Sequence, residues 1–449
     1  MSSTSTSTAS QSKEHVPVSV MDEEATSGED ATKVTPTKSG GDHGQEQGKT
    51  NDASTKGQSK KPVESQEEIT DTVQPMPYNS LICTLSGNMS QRQVSELPED
   101  GLCDFSFYQA YEKDHVILKG LGGPYAPSLF LVFEAAAQHK KTEYGFSFDY
   151  RCRDAAEKVL IEEVASKTLD EMWKKKIYHY AYLLLAHDRL GMKEYRKVFH
   201  NLQKVKDILH KGVEPQRPSY FLIGEAFYNK IWMNLGFNNI RERMHVHGAV
   251  VYGHIVADDR SIGQILPPSF WNSTVIDTKT YMYNLRTAHW ALRELPRKKL
   301  GYTQFFLSVS LGGRYYTPTK GEKHTFLSRN GYLVDEQFLI DIGQICKSQD
   351  WVWAFRNDTP IGSYYDNDKI DRVVTYDDEM SFRLKLCKGK MLIFKEKYGI
   401  AAYDADLDDP HNVCGKGAYS RLRFLKRLLH FFNEKFLEES DYDECLKLQ

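Results

Sequence analysis

Tyr398-Gly-Ile-Ala-Ala-Tyr-Asp-Ala-Asp-Leu-Asp-Asp409 is the stretch that decides the fold. Gly399 to Tyr403 is short, small and apolar, the composition of a strand buried on both faces. Four aspartates follow within six positions (Asp404, Asp406, Asp408, Asp409), then Pro410, His411, Asn412, Cys414 and Gly415. Beyond them Leu422, Leu425, Leu428, Leu429 and Phe432 recur at helical spacing, with Arg and Lys on the opposite face. A buried strand that ends in a carboxylate-rich loop and turns into an amphipathic helix is a βα unit. In barrels of such units, ligands meet the C-terminal ends of the strands.

Working outward, the same alternation recurs upstream. Strands are expected at Leu81–Leu85, Cys103–Tyr108, Tyr144–Asp149, Tyr178–Leu185, Tyr220–Ala226, Gly248–Ile255 and Phe305–Leu311, with Gly399–Tyr403 as the eighth. Helical patterns fall between them at Asp154–Val164, Glu194–Leu209 and Lys279–Leu295. Strand–helix repetition predicts an α/β protein with a parallel sheet, and the eightfold count predicts a TIM (β/α)8 barrel over residues 77–449. Residues 1–76 are Ser, Thr, Lys, Glu, Asp, Gly and Gln with scattered Val, a composition that cannot offset its ordering entropy and is expected to be a disordered tail. Between Tyr315 and Val374 an irregular insertion is expected before the last strand, carrying Trp351, Trp353, Tyr364, Tyr365 and Asp366.

The net charge of −3 over 449 residues gives no reason to expect a nucleic acid or an anionic membrane surface as partner. No apolar run reaches the ~18 residues of a membrane span. The N-terminus lacks the basic and apolar parts of a signal peptide, which by itself reads as cytosolic. The chain has seven Cys, an odd count. Three sequons, at Asn88, Asn272 and Asn357, suit a secretory route instead. No cofactor motif is present: Gly120-Leu-Gly-Gly123 has neither the Lys nor the context of a phosphate loop, and no Gly-x-Ser-x-Gly elbow occurs. A monomer is expected.

The last unit resembles that of family-18 glycoside hydrolases, the chitinases and chitinase-like proteins. That family's final strand reads Gly-x-x-x-Trp-x-x-Asp-x-Asp-Asp, and Gly399, Asp406, Asp408 and Asp409 fall on the pattern, with Tyr403 in place of the Trp that floors the sugar site. Val374-Thr-Tyr-Asp-Asp-Glu-Met-Ser381 resembles the family's Tyr-Asp-Asp-x-x-Ser segment, and Gly313-Arg314 its Tyr-Gly-Arg. More closely, the chain is similar to divergent arthropod members in which catalytic motifs are often lost. The resemblance implies disulfides Cys83–Cys103 and Cys346–Cys414, leaves Cys152, Cys387 and Cys445 without assignment, and favours the secretory pathway over the cytosol. It also implies that the insertion forms one wall of a sugar cleft.

Family-18 hydrolysis depends on Gly-x-Asp-x-x-Asp-x-Asp-x-Glu along the fourth strand, where the Glu is the general acid and the substrate's N-acetyl oxygen is the nucleophile. Laid on that run, the Asp positions fall at His179, Tyr182 and Leu184, and the Glu position at Ala186. No acid remains. The third strand offers no Ser-x-Gly-Gly, and the sixth keeps Tyr252 but has Gly253 where the family has Asp. The resemblance thus implies a catalytically silent chitinase-like protein that presents its mouth to a glycan or a protein, with Tyr108, Tyr252, Arg314, Trp351, Trp353, Tyr403 and Asp404 as candidate contacts. Two alternatives stand beside it. One is an enzyme, with carboxylates rebuilt from Asp149, Glu225 and Asp404, or with a metal held by His245, His247, His254, Asp258 and Asp259. The other is a protein-interaction module whose pocket is filled by side chains such as Tyr182 and Leu184. The run Asp404–Asp409 has the oxygens of a calcium loop, whereas the resemblance makes them caps and loop hydrogen-bonders.

Overall fold

A computed structural model describes residues 74–86, 92–110, 126–160, 163–185, 192–212, 217–227, 229–256, 263–272, 283–331, 339–358 and 360–449. The barrel strands are β1 (Leu81–Leu85), β2 (Phe105–Gln109), β3 (Glu143–Asp149), β4 (Ile177–Leu184), β5 (Phe221–Glu225), β6 (Gly248–Val251) and β7 (Gln304–Ser310). After β7 the chain builds a second sheet from β8 (Gly313–Pro318), β9 (Asn330–Gly331), β10 (Leu339–Ile340), β11 (Val352–Arg356), β12 (Gly362–Asn367) and β13 (Arg372–Tyr376). It then returns to the barrel as β14 (Gly399–Tyr403). The barrel closes in the order β1-β14-β7-β6-β5-β4-β3-β2, every pair parallel, so the expected TIM barrel is the fold.

Helices pack outside it: α1 (Pro127–Gln138), α2 (Arg153–Val159), α3 (Glu163–Lys174), α4 (Met192–Gly212), α5 (Lys230–Glu242) and α6 (Leu285–Glu294). In the second sheet lies α7 (Ile342–Cys346), and α8 (Glu379–Leu392), α9 (Ser420–Glu434) and α10 (Tyr442–Cys445) finish the chain. Their apolar stripes do the packing: Phe199, Leu202, Val205 and Leu209 of α4, and Leu422, Leu425, Leu428, Leu429 and Phe432 of α9, are all buried.

Strand alternation divides the barrel into two cores. Phe105, Phe107, Ala181, Leu183, Leu222, Val250, Phe306, Ala401 and Tyr403 fill the interior, whereas Tyr108, Phe146, Tyr180, Tyr182 and Ile223 face the helices. Large interior rings need bare backbone opposite them. A Cβ at Gly145 would lie 2.4 Å from the Phe107 ring, and one at Gly224 would lie 2.2 Å from the Tyr252 hydroxyl.

Four sequence expectations change. β6 stops at Val251 rather than Ile255, because the Gly253 N–H leaves the ladder for the Ser308 hydroxyl and a Cβ there would strike the Ser308 carbonyl at 2.8 Å. The single helix expected over Asp154–Val164 is two, α2 and α3. The insertion is no irregular loop but an antiparallel sheet in the order β10-β8-β13-β12-β11, with β9 added to β8. Met76, inside the expected tail, is 1% exposed within the interior core; the tail otherwise lies outside the described residues up to residue 73.

Three disulfides staple the barrel: Cys83–Cys103, Cys346–Cys414 and Cys387–Cys445, the last joining α8 to α10 and unassigned by the sequence. They are compatible with an extracellular location. No described helix is long and apolar enough to cross a membrane.

Candidate binding site at the barrel mouth

The mouth is built on Tyr403, the last residue of β14. Its ring is 1% exposed and its hydroxyl donates to the Leu183 carbonyl at 2.7 Å. Tyr252, just past β6, donates to the same carbonyl at 2.6 Å and accepts the Leu185 N–H at 2.9 Å. Two phenols therefore use the acceptor capacity of one carbonyl. Their rings meet edge to face, 6.1 Å apart at 86°. Burial pushes the Tyr252 hydroxyl far above the ordinary phenol range, so it stays a donor.

Around this floor His254, Asp404 and Arg314 each have hydrogen-bond partners. His254 packs against the Tyr403 ring, centroids 4.3 Å apart and tilted at 43°, and bonds the Ser308 hydroxyl through Nδ1 at 2.7 Å. Burial, with Arg314 adding to it, pushes the imidazole down to about 3, so it is neutral. Asp404 leaves β14 in the left-handed region at φ 56°. Its carboxylate accepts the Ser310 hydroxyl at 2.9 Å, and its N–H donates to the Thr84 hydroxyl at 3.1 Å. Burial and then Asp406 lift the carboxyl to about 7, against the opposing pull of Ser310 and Arg314. Arg314, on β8 and 3% exposed, reaches over the mouth to the Ile255 and Val256 carbonyls.

On β4 the residues of the expected catalytic run are placed by strand alternation. His179, Ala181 and Leu183 face the interior; Tyr182 faces α4 and accepts a hydrogen bond from the Asn201 amide at 3.1 Å. Positions three apart cannot share a strand face, so with His179 inside, Tyr182 must lie outside. The one-residue slip leaves Ala181 and Leu183 where carboxylates would have to point inward, and Tyr182 does not plug the pocket. Leu184 is half-buried beside the interior core, and Ala186 lies outside the described residues. His179 sits at the opposite end from the mouth. Its Nδ1 accepts the Tyr220 N–H at 3.1 Å and its Nε2 meets Glu143 at 2.9 Å, which fixes a neutral imidazole, consistent with burial lowering its pKa.

The alternative constellations disperse. Asp149 is paired with the Arg151 guanidinium, and Glu225 faces the helix layer, where it accepts the Tyr195 hydroxyl. Burial holds the Glu225 carboxyl well above its ordinary range. None of Asp149, Glu225 and Asp404 is hydrogen-bonded to another. His245 bonds the Arg241 carbonyl, His247 accepts the Phe221 N–H, and His254 is on Ser308, so the three do not converge; Asp258 and Asp259 lie outside the described residues.

Asp406, Asp408 and Asp409 are braces. Asp406 accepts the Ser86 N–H and hydroxyl, Asp408 accepts from Arg421 and the Leu422 N–H, and Asp409 takes the Val413 and Cys414 N–H groups. Asp377 and Asp378 brace as well. Asp377 pairs with Lys385, both fully buried, and accepts the Ser269 N–H, while Asp378 caps α8 through the Ser381 N–H and accepts the Ser363 hydroxyl.

Tyr108 points to α1, where its hydroxyl meets Ser128 at 2.9 Å, away from the mouth. Trp353 stands 48% exposed on the edge strand β11, and Trp351 packs edge-on against Tyr315. Of the sequons, Asn357 is exposed, Asn272 is half-buried and Asn88 lies outside the described residues. Two groups were missed by sequence reasoning. Gln109, at the end of β2, turns into the barrel and is 1% exposed. His324 meets Asp366 at 2.6 Å and Asp368 at 3.2 Å through Nδ1, and Asp371 at 2.8 Å through Nε2. The Asp366-x-Asp-x-x-Asp371 spacing was visible, but not the imidazole brought to it from 42 residues away.

No protein-family profile matches the sequence, and no curated protein matches it. Solved structures do match. Human YKL-39, described as a pseudo-chitinase with retained chitooligosaccharide binding, superposes with a TM-score of 0.56 at 12% identity, over 78% of this chain and 99% of its own. The Group IV chitinase of Ostrinia furnacalis gives 0.56 at 13% identity over 78% and 99%. Catalytic domain 2 of the Group II chitinase of the same insect gives 0.55 at 14% over 78% and 96%. At such identities the likeness is one of fold: the barrel and its second sheet are similar to those of chitinases and of a pseudo-chitinase.

Proposed function

We propose that this protein is a non-hydrolytic member of the chitinase fold that binds a chitin-type N-acetylglucosamine oligomer at its barrel mouth. One observation carries the reading: β4 turns His179, Ala181 and Leu183 inward, and the Leu183 carbonyl, at the mouth end, is held by Tyr252 and Tyr403. Alanine and leucine can neither protonate a leaving oxygen nor support an N-acetyl nucleophile. The human pseudo-chitinase with the same fold retains chitooligosaccharide binding, which supports binding without turnover here. Tyr252, Arg314, Tyr403 and Asp404 would frame the ligand, and Trp351 and Trp353 of the second sheet would offer apolar faces to a longer chain. In this reading the protein is secreted and monomeric.

A second reading is favoured by the burial of Tyr252 and Tyr403, at 3% and 1% exposed: a closed floor whose rim binds a protein. The deciding experiment uses the full chain with a fluorogenic chitotriose and, separately, chitin beads. Binding without turnover supports the proposal. Turnover overturns it, and absence of both favours the protein-binding rim.

A further inference from the structure

Among the described residues the interior side chains at the strand ends satisfy their polar groups among themselves, with Gln109 as the exception. The Thr84 hydroxyl takes the Asp404 N–H, the Ser147 hydroxyl takes the Leu183 N–H, the Ser308 hydroxyl takes the Gly253 N–H, and the Ser310 hydroxyl donates to Asp404. Gln109 joins none of these pairs. Phe105 and Phe107 precede it on the interior face while Tyr108 turns to Ser128, so alternation aims Gln109 into the barrel, level with Ser147 on β3. It is 1% exposed, and neither its Oε1 nor its Nε2 has a hydrogen-bond partner among the described residues.

Buried polar atoms are almost always paired, and an orphan carries its desolvation cost without return. Methionine would fill nearly the same volume with no such cost. A destabilising group kept at the C-terminal end of a barrel strand, where ligands dock, is the signature of a partner that arrives with the ligand. We propose that Gln109 reads a secondary amide of the ligand. A planar carboxamide sets one acceptor beside one donor, and its two-point complement is another uncharged amide. The interior cluster on this face, with Phe107, Leu183, Tyr252 and Tyr403, is uncharged, and the two charged groups of the mouth already have partners, Asp404 in Ser310 and Arg314 in the Ile255 and Val256 carbonyls. The acetamido group of an amino sugar has this chemistry; in that respect the inference rests on the glycan reading above.

The test uses the full chain and Q109M. Without ligand, Q109M should melt a few degrees higher than wild type, because the orphan amide is gone. By calorimetry, wild type should bind triacetylchitotriose at least about tenfold more tightly than cellotriose, which has hydroxyls where the other has acetamido groups, and Q109M should lose that preference. A Q109M that melts lower would make Gln109 a structural member, satisfied by an internal water, and overturn the inference. A wild type that binds the acetylated trimer, with Q109M binding it equally, overturns the role of Gln109 and leaves the glycan reading standing. A wild type that binds neither trimer overturns both.

Discussion

Tyr252 and Tyr403 share one acceptor but not one burden. Tyr403→Phe leaves the Leu183 carbonyl with Tyr252, so it should cost only about 1 kcal/mol, whereas Tyr252→Phe also strands the buried Leu185 N–H and should cost about 1–3 kcal/mol. Urea denaturation of the two variants orders them. Asp404 makes a pH prediction. Its folded pKa of about 7 lies above the ordinary 3.8, so the folded state holds the proton more tightly and stability falls as pH rises between those values. Asp404→Asn, neutral throughout and still able to accept from Ser310, should melt higher than wild type above about pH 7 and match it below about pH 4. At this scale the sequence was half legible. Tyr403 and the aspartates could be read because they are consecutive. Gln109 could not, because its meaning is the lack of a partner, and partners come from other strands. Tyr182 was read on the wrong face because a motif was laid on a strand before its inward face was known.

The buried brace under α8 belongs to whole elements. Asp377 ties the end of β13 to the segment at Ser269 and to Lys385 on α8, with both charges out of water. Lys385→Met would leave that carboxylate unpaired and should cost about 3–5 kcal/mol, measurable by chemical denaturation. The β12–β13 hairpin has a softer tie. Burial alone would lower the pKa of His324, but its pairing with Asp366, then Asp371 and Asp368, wins and raises it above the ordinary 6.5. The stabilisation is therefore complete below that value and lost as pH rises through the higher folded value. His324→Gln should melt lower than wild type in acid and converge with it in alkali. The barrel strands were legible because each is a dense apolar run. The second sheet was not: its short strands mix Tyr, Ser, Asp and Arg rather than alternating cleanly, and the pairing that joins the β11–β12–β13 meander to β8 is distant in sequence, Val373 and Tyr316 being 57 residues apart and Thr375 and Arg314 being 61.

Across the whole molecule, covalent ties bound the unfolded state. In a chain-entropy account the Cys83–Cys103 loop, 20 residues, is worth about 3 kcal/mol, and the Cys387–Cys445 and Cys346–Cys414 loops, 58 and 68 residues, about 4 kcal/mol each. Replacing Cys387 and Cys445 together by Ser should therefore lower the urea midpoint more than removing the Cys83–Cys103 bridge does. The odd cysteine count hid the third bridge, since helices α8 and α10 meet only once the chain is folded.

The position of β14 between β1 and β7 has a consequence for synthesis. The first strand gains its second neighbour only when the chain has been made as far as Gly399–Tyr403, and Asp406 reaches Ser86 across 320 residues. At ~5–20 residues per second a ribosome needs roughly a quarter of a minute to a minute to cover that distance. Throughout that interval β1 offers an open apolar edge to any other nascent strand nearby. The barrel thus closes only once β14 has been made, and its yield in a cell depends on whatever shields that edge until then.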